Sequence, residues 1–469
     1  MTTTALVPPP GTAPPPSGEL KARLRKARRR HRNRSMGDLL TDLYLIAFLI
    51  AIYGWAAVDS AGDFLHRQVA AAPADPGARY WIAVGAGLAL AGFVWQGLTA
   101  VGPLQVGPAV QSWLASTPLS RRALLAPRFT GLALAAAFGA ALLGAAGAAI
   151  GRSGGYGWAA LAGLAWGTTF AAGTVAVQAS RVLGRRWPAW SLAGAGGLLV
   201  LLVVLAHDLW DWAPAAPGTS LLPAVAVIGV LPAAVLLVLA VRALPLIDRA
   251  SLSTGARFAS AASSAILLLD PSMLAAVVEN QRWRAVGRVR SRRFRRGPRW
   301  WVLLQADLRR VGRTRAALAW WAVLVLAVYA VAVALPTVGG AVQVIAAYLA
   351  ADRFAGGLRG ISRSAGLRRA IGGSDASLKL VHLVVPALAA TLWWLATVPA
   401  VGAGPLWLAA LLVVGVAATV YRAATRGPMA YGGAVAETPM GAIPVDLIRQ
   451  VVRGPDLLFV LVAVQLLVR

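Results

Sequence analysis

Cysteine is absent from this 469-residue chain, and charged residues are scarce. The absence of cysteine excludes disulfide bonds and thiolate metal sites. Only 13% of the residues are charged, whereas 58% are hydrophobic and the mean hydropathy is +0.67. Many apolar runs of about 18 residues or more follow one another, and each is long enough to cross a bilayer as a helix. Because backbone polar groups in lipid need partners within their own segment, we predict an all-α, polytopic transmembrane bundle.

Residue patterns that would indicate catalysis are also missing. None of the three lysines lies in the G-x-x-x-x-G-K-[ST] pattern that binds ATP phosphates, and the four histidines have no metal-ligand spacing. The acidic pairs Asp59/Asp63 and Asp208/Asp211 lie in segments too short to build a substantial site. We therefore expect no intrinsic enzymatic activity, no cofactor and no metal, and any ATP would be bound by another subunit.

What the chain has instead is a series of apolar segments. They predict about eleven helices, with ten to twelve as the range. A long basic segment separates the first six helices from the others. The predicted spans are residues 39–58, 80–101, 129–150, 156–179, 188–207, 221–241, 317–335, 341–351, 380–399, 405–421 and 457–468.

Basic residues are distributed unevenly between the two sides of these spans. Of the 45 Lys and Arg residues, 40 fall in segments that share a side with the N-terminus and four fall on the other side. Since basic residues accumulate in cytoplasmic segments, we predict a cytoplasmic N-terminus. The net charge of +28 then indicates contact with anionic inner-leaflet lipids, and no nucleic-acid partner is needed to explain it.

The chain divides into four predicted parts. Residues 1–38 form a disordered, Pro-rich start followed by a basic cytoplasmic N-terminus, and residues 39–247 form a first transmembrane half of six helices. Residues 248–315 form a basic cytoplasmic linker with interfacial helices, and residues 316–469 form a second half of about five helices. The two halves are unequal, but we predict that they are pseudo-repeats, because a basic loop follows the second helix of each. This loop is Trp113–Arg128 in the first half and Arg353–Lys379 in the second.

One linker segment, Arg299–Arg315, has the pattern of a helix that lies in the membrane interface. Its apolar residues fall near one helical face and most of its arginines on the other. The apolar set comprises Trp300, Trp301, Leu304, Leu308 and Val311, and the basic set comprises Arg309, Arg310 and Arg313.

Ionisable residues within or beside the spans are few. We interpret them as side chains that snorkel to the nearest surface, which argues against a carrier coupled to protons. They are Asp42, His207, Arg242, Asp352, Lys379 and His382. Gly147/Gly151 and Gly163/Gly167 have the Gly-x-x-x-Gly spacing that lets neighbouring helices approach closely.

The run WLASTPLSRRALLAPR, which precedes the third span, resembles the loop after the second helix of ABC-2-type exporter permeases. In that family each half has an interfacial elbow and six helices, and a cytoplasmic loop contacts a separate ATPase. The resemblance implies coupling positions at Trp113, Ser116, Thr117, Pro118, Ser120, Arg121 and Arg122, with weaker counterparts at Ser374, Asp375, Ser377 and Lys379. The chain departs from the family pattern because its second half lacks a sixth helix.

This resemblance implies a multi-pass protein of the bacterial plasma membrane that acts as the permease component of an ABC-type exporter. The expected partners are a separate ABC ATPase subunit and anionic lipids, and a homo-oligomer is left open. Two alternatives remain at this point. One is an ion-coupled secondary carrier, and the other is a membrane scaffold that does not transport.

Overall fold

The predicted helical bundle is confirmed. The computed structural model describes residues 44, 48, 54–71, 75–105, 121–150, 155–180, 187–212, 214–215, 220–248, 252, 293–427, 435–438, 441–444 and 452–468. Among these residues, eight helices are long and apolar enough to cross a membrane, which agrees with the all-α, polytopic class.

The described residues form fourteen α-helices, two short 3-10 helices and one hairpin of two strands. The helices are α1 (Trp55–Ala71), α2 (Pro76–Val101), α3 (Arg121–Ile150), α4 (Tyr156–Ala179), α5 (Trp187–Trp210), α6 (Leu221–Ala243), α7 (Arg299–Arg313), α8 (Arg315–Ala334), α9 (Gly339–Asp352), α10 (Gly356–Arg363), α11 (Ala365–Ile371), α12 (Asp375–Val401), α13 (Leu406–Ala424) and α14 (Pro455–Val468). The 3-10 helices are Leu244–Leu246 and Pro336–Val338, and the antiparallel strands are β1 (Val435–Thr438) and β2 (Gly441–Pro444).

Ten of the predicted spans coincide with helices, but several boundaries were wrong. The first predicted span lies largely outside the described residues, and α1 continues to Ala71 where a loop was expected from residue 59. Helix α3 begins at Arg121, eight residues before the span predicted to start at residue 129, and it contains Pro127. Only one backbone N–H is lost at Pro127, and a helix in lipid tolerates this when nearby groups compensate.

Packing divides the chain into two compact units. The first comprises Met1–Arg67, Leu90–Leu192 and Pro217–Val278, and the second comprises Gln68–Ala89, Ala193–Ala216 and Glu279–Arg469. The sequence-based division at residues 247 and 248 rests on the basic linker rather than on packing, and it stays a prediction.

In the first unit, α3 and α4 approach through small residues. A Cβ atom built on Gly167 would lie 2.6 Å from the Ala136 carbonyl oxygen, and one on Gly163 would overlap the Ala140 carbonyl oxygen. The predicted close approach at Gly163/Gly167 is therefore confirmed. The same prediction is wrong for Gly147, where an added Cβ would meet nothing within 4 Å, and Gly151 lies outside the described residues.

The first unit also contains a buried amide clamp. The Gln178 side chain accepts a hydrogen bond from the Leu104 backbone N–H at 3.1 Å and donates one to the Leu104 carbonyl oxygen at 3.2 Å. Leu104 itself is buried beside Leu125 and Val175. The chain that follows α2 is thus held against α4 by hydrogen bonds from the Gln178 side chain to the Leu104 backbone and by apolar packing.

The second unit has a larger aromatic core. Trp393 of α12 is fully buried, and its ring meets Trp321 of α8 edge to face, with 5.8 Å between the ring centroids. Gly85 of α2 and Gly196 of α5 also belong to this unit, and an added Cβ on Gly85 would lie 2.8 Å from the Gly196 carbonyl oxygen. Both units therefore use glycine where two helices cross closely.

Candidate functional site

Helix α7 forms as predicted, and two of its polar side chains are buried. Trp300 and Leu308 are exposed, whereas Gln305 and Asp307 are the buried residues of this helix. The position of this helix in the membrane interface stays a prediction. The burial of Gln305 and Asp307 was not predicted, and neighbouring elements supply partners for both side chains.

Asp307 forms a buried pair with His382 of α12. The Nδ1 atom of His382 lies 2.5 Å from Oδ2 of Asp307, and the two side chains are only 6% and 3% exposed. Arg310, one turn along α7, donates a hydrogen bond to Oδ1 of Asp307 at 3.1 Å. The interpretation of His382 as a snorkelling side chain is therefore wrong, since its imidazole points into protein and meets a carboxylate.

A third helix closes over this pair. Gly357, in the first turn of α10, faces Asp307 so closely that a Cβ atom at that position would overlap the carboxylate. Leu358 and Ile361 are the buried residues of α10 beside Gly357. Asp307 consequently lies where α7, α10 and α12 meet.

Arg299, at the start of α7, holds the end of α11. Its guanidinium donates to the Ile371 carbonyl oxygen at 3.0 Å and to the Gly372 carbonyl oxygen. Gly372 and Gly373 have φ angles of +77° and +79°, a left-handed conformation that strains other residues. The arginine thus satisfies carbonyl groups that a helix C-terminus leaves without intrahelical partners.

An ion pair and hydrogen bonds also stabilise the connection between α11 and α12. Arg368 forms an ion pair with Asp375 at 3.0 Å and donates to the Ile361 and Ser362 carbonyl oxygens at 2.9 and 2.8 Å. Ser374 caps α12, because its hydroxyl accepts a hydrogen bond from the Ser377 backbone N–H at 3.2 Å.

We call this assembly the basic junction: it comprises α7, α10, α11 and the first two turns of α12. The structure brings the predicted residues Ser374, Asp375 and Ser377 together within it, and Lys379 follows one turn later on α12. The loop predicted for Arg353–Lys379 is mostly helical. Two short helices occupy it, and α12 begins five residues before the span predicted to start at residue 380.

The first-half counterpart is described only at its end. Trp113, Ser116, Thr117, Pro118 and Ser120 lie outside the described residues. Arg121 and Arg122 are exposed in the first turn of α3, and Arg121 donates to the Ile247 carbonyl oxygen at 3.2 Å. Both residues were expected in a loop, but the structure places them in a helix.

The residues that organise the basic junction were missed by the sequence prediction. Asp307 is the only acid in the segment Arg299–Arg315, which is a signal that could have singled it out. An isolated carboxylate among arginines indicates an ion pair, but the spacing could not identify His382, 75 residues away, as its closest partner.

These features define the chain as a multi-pass α-helical membrane protein. A family model described as a family of unknown function (DUF6297) matches residues 72–434, which is more than half of the chain, and the chain belongs to that family. The matched range includes the whole basic junction. No curated protein and no solved structure matches the chain.

Proposed function

We propose that this protein is the permease component of an ABC-type exporter, with the basic junction as the part that receives motion from a separate ATPase. In this proposal the protein lies in the bacterial plasma membrane with a cytoplasmic N-terminus. The observation that supports it is the connection from α7 through α10 and α11 to α12, which runs through Arg299, Asp307 and Arg368.

The surface of the basic junction suits an acidic partner. Arg363 and Arg369 are exposed at the ends of α10 and α11. Complementary charge steers association and selects the correct partner more than it adds affinity. An ATPase with an acidic docking surface would therefore meet these two arginines, while the exposed Trp300 and Leu308 of α7 would remain available to lipid.

The internal bonds of the junction make it suited to carrying a displacement. A displacement of α11 would move α7 through the hydrogen bonds of Arg299, and it would move α12 through the ion pair between Arg368 and Asp375. Helix α12 is 27 residues long and contains the buried Trp393, so its motion would reach the core of the second unit. Nucleotide binding can shift the bundle only if the ATPase contacts its two conformations differently.

The test is co-purification from native membranes in mild detergent. We expect a nucleotide-binding ATPase to be recovered with the wild-type chain and to be lost with Arg369→Glu, because the reversed charge would repel an acidic surface. Arg67→Glu is the matched control, since Arg67 is also exposed but lies on α1, in a segment that the charge distribution assigns to the outer side.

Two outcomes would count against the proposal. Equal recovery of the ATPase with Arg369→Glu and Arg67→Glu would show that the ATPase does not bind at Arg369 of the basic junction. Absence of any ATPase, under conditions that preserve a known transporter complex from the same membranes, would overturn the exporter assignment itself.

A second candidate function is favoured by the Asp307–His382 pair. A carboxylate and an imidazole buried together near the end of a transmembrane helix are groups that an ion-coupled carrier could use to bind a proton. Proteoliposomes with an imposed pH gradient distinguish this candidate. Proton uptake that is lost in His382→Gln would favour the carrier, whereas no uptake by the wild-type chain would rule out proton coupling.

A further inference from the structure

The six residues that precede α7 run back along that helix, and we call residues 293–298 the arginine strap. The side chain of Gln305 accepts a hydrogen bond from the Arg295 backbone N–H at 2.9 Å and donates one to the Arg295 carbonyl oxygen at 3.1 Å. One turn further along α7, Arg309 donates to the Arg293 carbonyl oxygen at 2.6 Å. The backbone of the strap is therefore fixed to α7 at two residues.

Two side-chain contacts complete this attachment. The guanidinium group of Arg309 lies over the Phe294 ring, 4.3 Å from the ring centroid. At Gly297, an added Cβ atom would lie only 2.8 Å from the Trp301 ring. Gln305, which bonds the strap in the middle, is itself buried. The strap is thus held at several points along its length.

The side chains of the strap itself are all exposed. Within the described chain, the guanidinium groups of Arg293, Arg295 and Arg296 have no hydrogen-bonding or ion-pair partner. Fixing such a segment costs backbone entropy without adding any side chain to the core. Groups that are already fixed lose less entropy when they bind a ligand. The arrangement therefore indicates that these three arginines have a ligand.

Charge and position together indicate the chemical class of this ligand. Residues 293–313 contain seven arginines but a single acid, Asp307, which is buried. Arg309, which holds the start of the strap, lies less than two turns before α8, and α8 is one of the helices that can cross a membrane. The strap therefore lies near the end of a membrane span, where lipid phosphates are the most abundant anions.

We propose that the arginine strap binds the phosphate groups of anionic phospholipids through Arg293, Arg295 and Arg296. A guanidinium group stays charged and can form two parallel hydrogen bonds with one phosphate. The exposed rings of Phe294 and Trp300 are of the kind that lies at headgroup depth. The net charge predicted lipid contact in general, and the strap provides a defined site for it. This site goes beyond the exporter proposal, because it requires no ATPase.

The direct test measures how fast phenylglyoxal modifies individual arginines of the purified chain in nanodiscs, with mass spectrometry as the readout. We expect the three strap arginines to react about fivefold more slowly in phosphatidylglycerol than in phosphatidylcholine. Arg363 and Arg369, which are exposed but lie outside the strap, should show no comparable difference. Equal rates in the two lipids at the strap would overturn the proposal, as would equal protection of Arg363 and Arg369.

The same readout distinguishes two other anionic ligands. Inorganic phosphate added to phosphatidylcholine nanodiscs should leave the strap arginines reactive. Protection by phosphate alone would assign the strap to a soluble anion and overturn the lipid assignment. Protection in native membranes without protection in phosphatidylglycerol nanodiscs would assign it to an acidic protein and would also overturn the proposal.

A variant of Gln305 tests whether the strap has to be held in place. Gln305→Leu removes both hydrogen bonds to Arg295 but keeps every arginine, so the charge of the protein is unchanged. We expect the protection by phosphatidylglycerol to be lost. Gln178→Leu is the matched control, because it removes the equivalent two hydrogen bonds to Leu104 in the first unit, and it should retain the protection.

Two results with these variants would overturn the defined site. Protection retained in Gln305→Leu would show that unrestrained arginines attract the lipid equally well. Protection lost in both variants would show that the stability of the fold, rather than the strap, controls the labelling.

A charge variant keeps the proposal testable if Gln305→Leu does not fold. Arg293→Gln/Arg296→Gln should retain fewer phosphatidylglycerol molecules in native mass spectrometry than the wild type does. Arg363→Gln/Arg369→Gln removes the same charge outside the strap and should retain as many as the wild type, and equal retention by the two double variants would overturn the site. Because no ATPase takes part in these measurements, their failure would leave the exporter proposal unaffected, and a failure to recover an ATPase would leave this site unaffected.

Discussion

Two helix contacts in this protein are built on opposite principles. Helices α3 and α4 meet through Gly163 and Gly167, with the backbone of one helix against the backbone of the other. Helices α7 and α12 meet through the carboxylate of Asp307 and the imidazole of His382. The first contact needs nothing larger than a hydrogen atom at the crossing point, and the second needs two particular side chains.

The difference reflects what each contact has to achieve in a membrane. Lipid tails are as apolar as leucine, so helices that only pack must gain van der Waals contact through small residues. A buried carboxylate with its hydrogen-bonding partners adds little net stability compared with apolar packing, and the arrangement becomes costly once one partner is removed. We therefore associate the α3–α4 contact with architecture and the α7–α12 contact with function.

The largest effect is expected when the buried pair is broken. Asp307→Ala should lower the free energy of unfolding by about 3–5 kcal/mol, because the buried His382 is left without its partner and the partly exposed Arg310 loses its ion pair. Chemical unfolding in detergent micelles, followed by tryptophan fluorescence, measures the change. Asp375→Ala is the matched control, since the Asp375 side chain is 57% exposed. Equal effects of the two variants would remove the distinction between the two kinds of contact.

A smaller loss is expected from the glycine contact. Gly163→Val should destabilise by about 1–3 kcal/mol, because the added side chain overlaps the Ala140 carbonyl group and forces α3 and α4 apart. Gly147→Val introduces the same side chain where an added Cβ meets nothing within 4 Å. The same unfolding assay should show little change for this control, and a loss as large as that of Gly163→Val would contradict the backbone-contact interpretation.

A local effect is expected at the end of α11. Arg299→Gln removes the hydrogen bonds to the Ile371 and Gly372 carbonyl oxygens and should cost about 1 kcal/mol. Hydrogen exchange should become faster in residues 365–372 and remain unchanged in α3 and α4. Arg296→Gln is a suitable control, since Arg296 is an exposed arginine on the same segment. Unchanged exchange in α11 would show that Arg299 does not hold the basic junction together.

The smallest effect is expected for an ion pair nearer the surface. Arg422 of α13 pairs with Asp456 at the start of α14, and the two side chains are 44% and 39% exposed. Arg422→Gln should therefore change the free energy of unfolding by less than about 1 kcal/mol, and added salt should reduce the difference further. Comparison with Asp307→Ala then shows how far burial, rather than charge alone, determines the loss of unfolding free energy when a polar contact is removed.

Sequence patterns predicted the helical segments well because hydrophobicity and length alone decide which segments can cross a bilayer. They predicted α7 for a different reason, because its amphipathic periodicity is strong. Helix starts were less predictable. Arg121 and Asp375 begin helices several residues before the apolar runs do, because capping, as by Ser374 at α12, and tertiary contacts extend a helix beyond its hydrophobic part.

The candidate site could be predicted only in part. Ser374 and Asp375 were named by resemblance as weaker counterparts of the first-half loop, and they lie in the basic junction. Asp307 and His382 were not identified as a pair, because no local pattern relates two residues 75 positions apart. The same limit applies to Gln343 and Gln465, whose burial is decided only once the helices around them are in place.

The sequence by itself determined that this protein is a helical, multi-pass membrane protein without cysteine chemistry. Apolar length and composition are properties of single segments, and they are sufficient for that conclusion. Only the tertiary structure decided which polar side chains are buried, which of them have partners, and that Arg299 and Asp307 join α7 to the elements before and within α12. These properties depend on distances between segments that are remote in the chain, and no single segment carries that information.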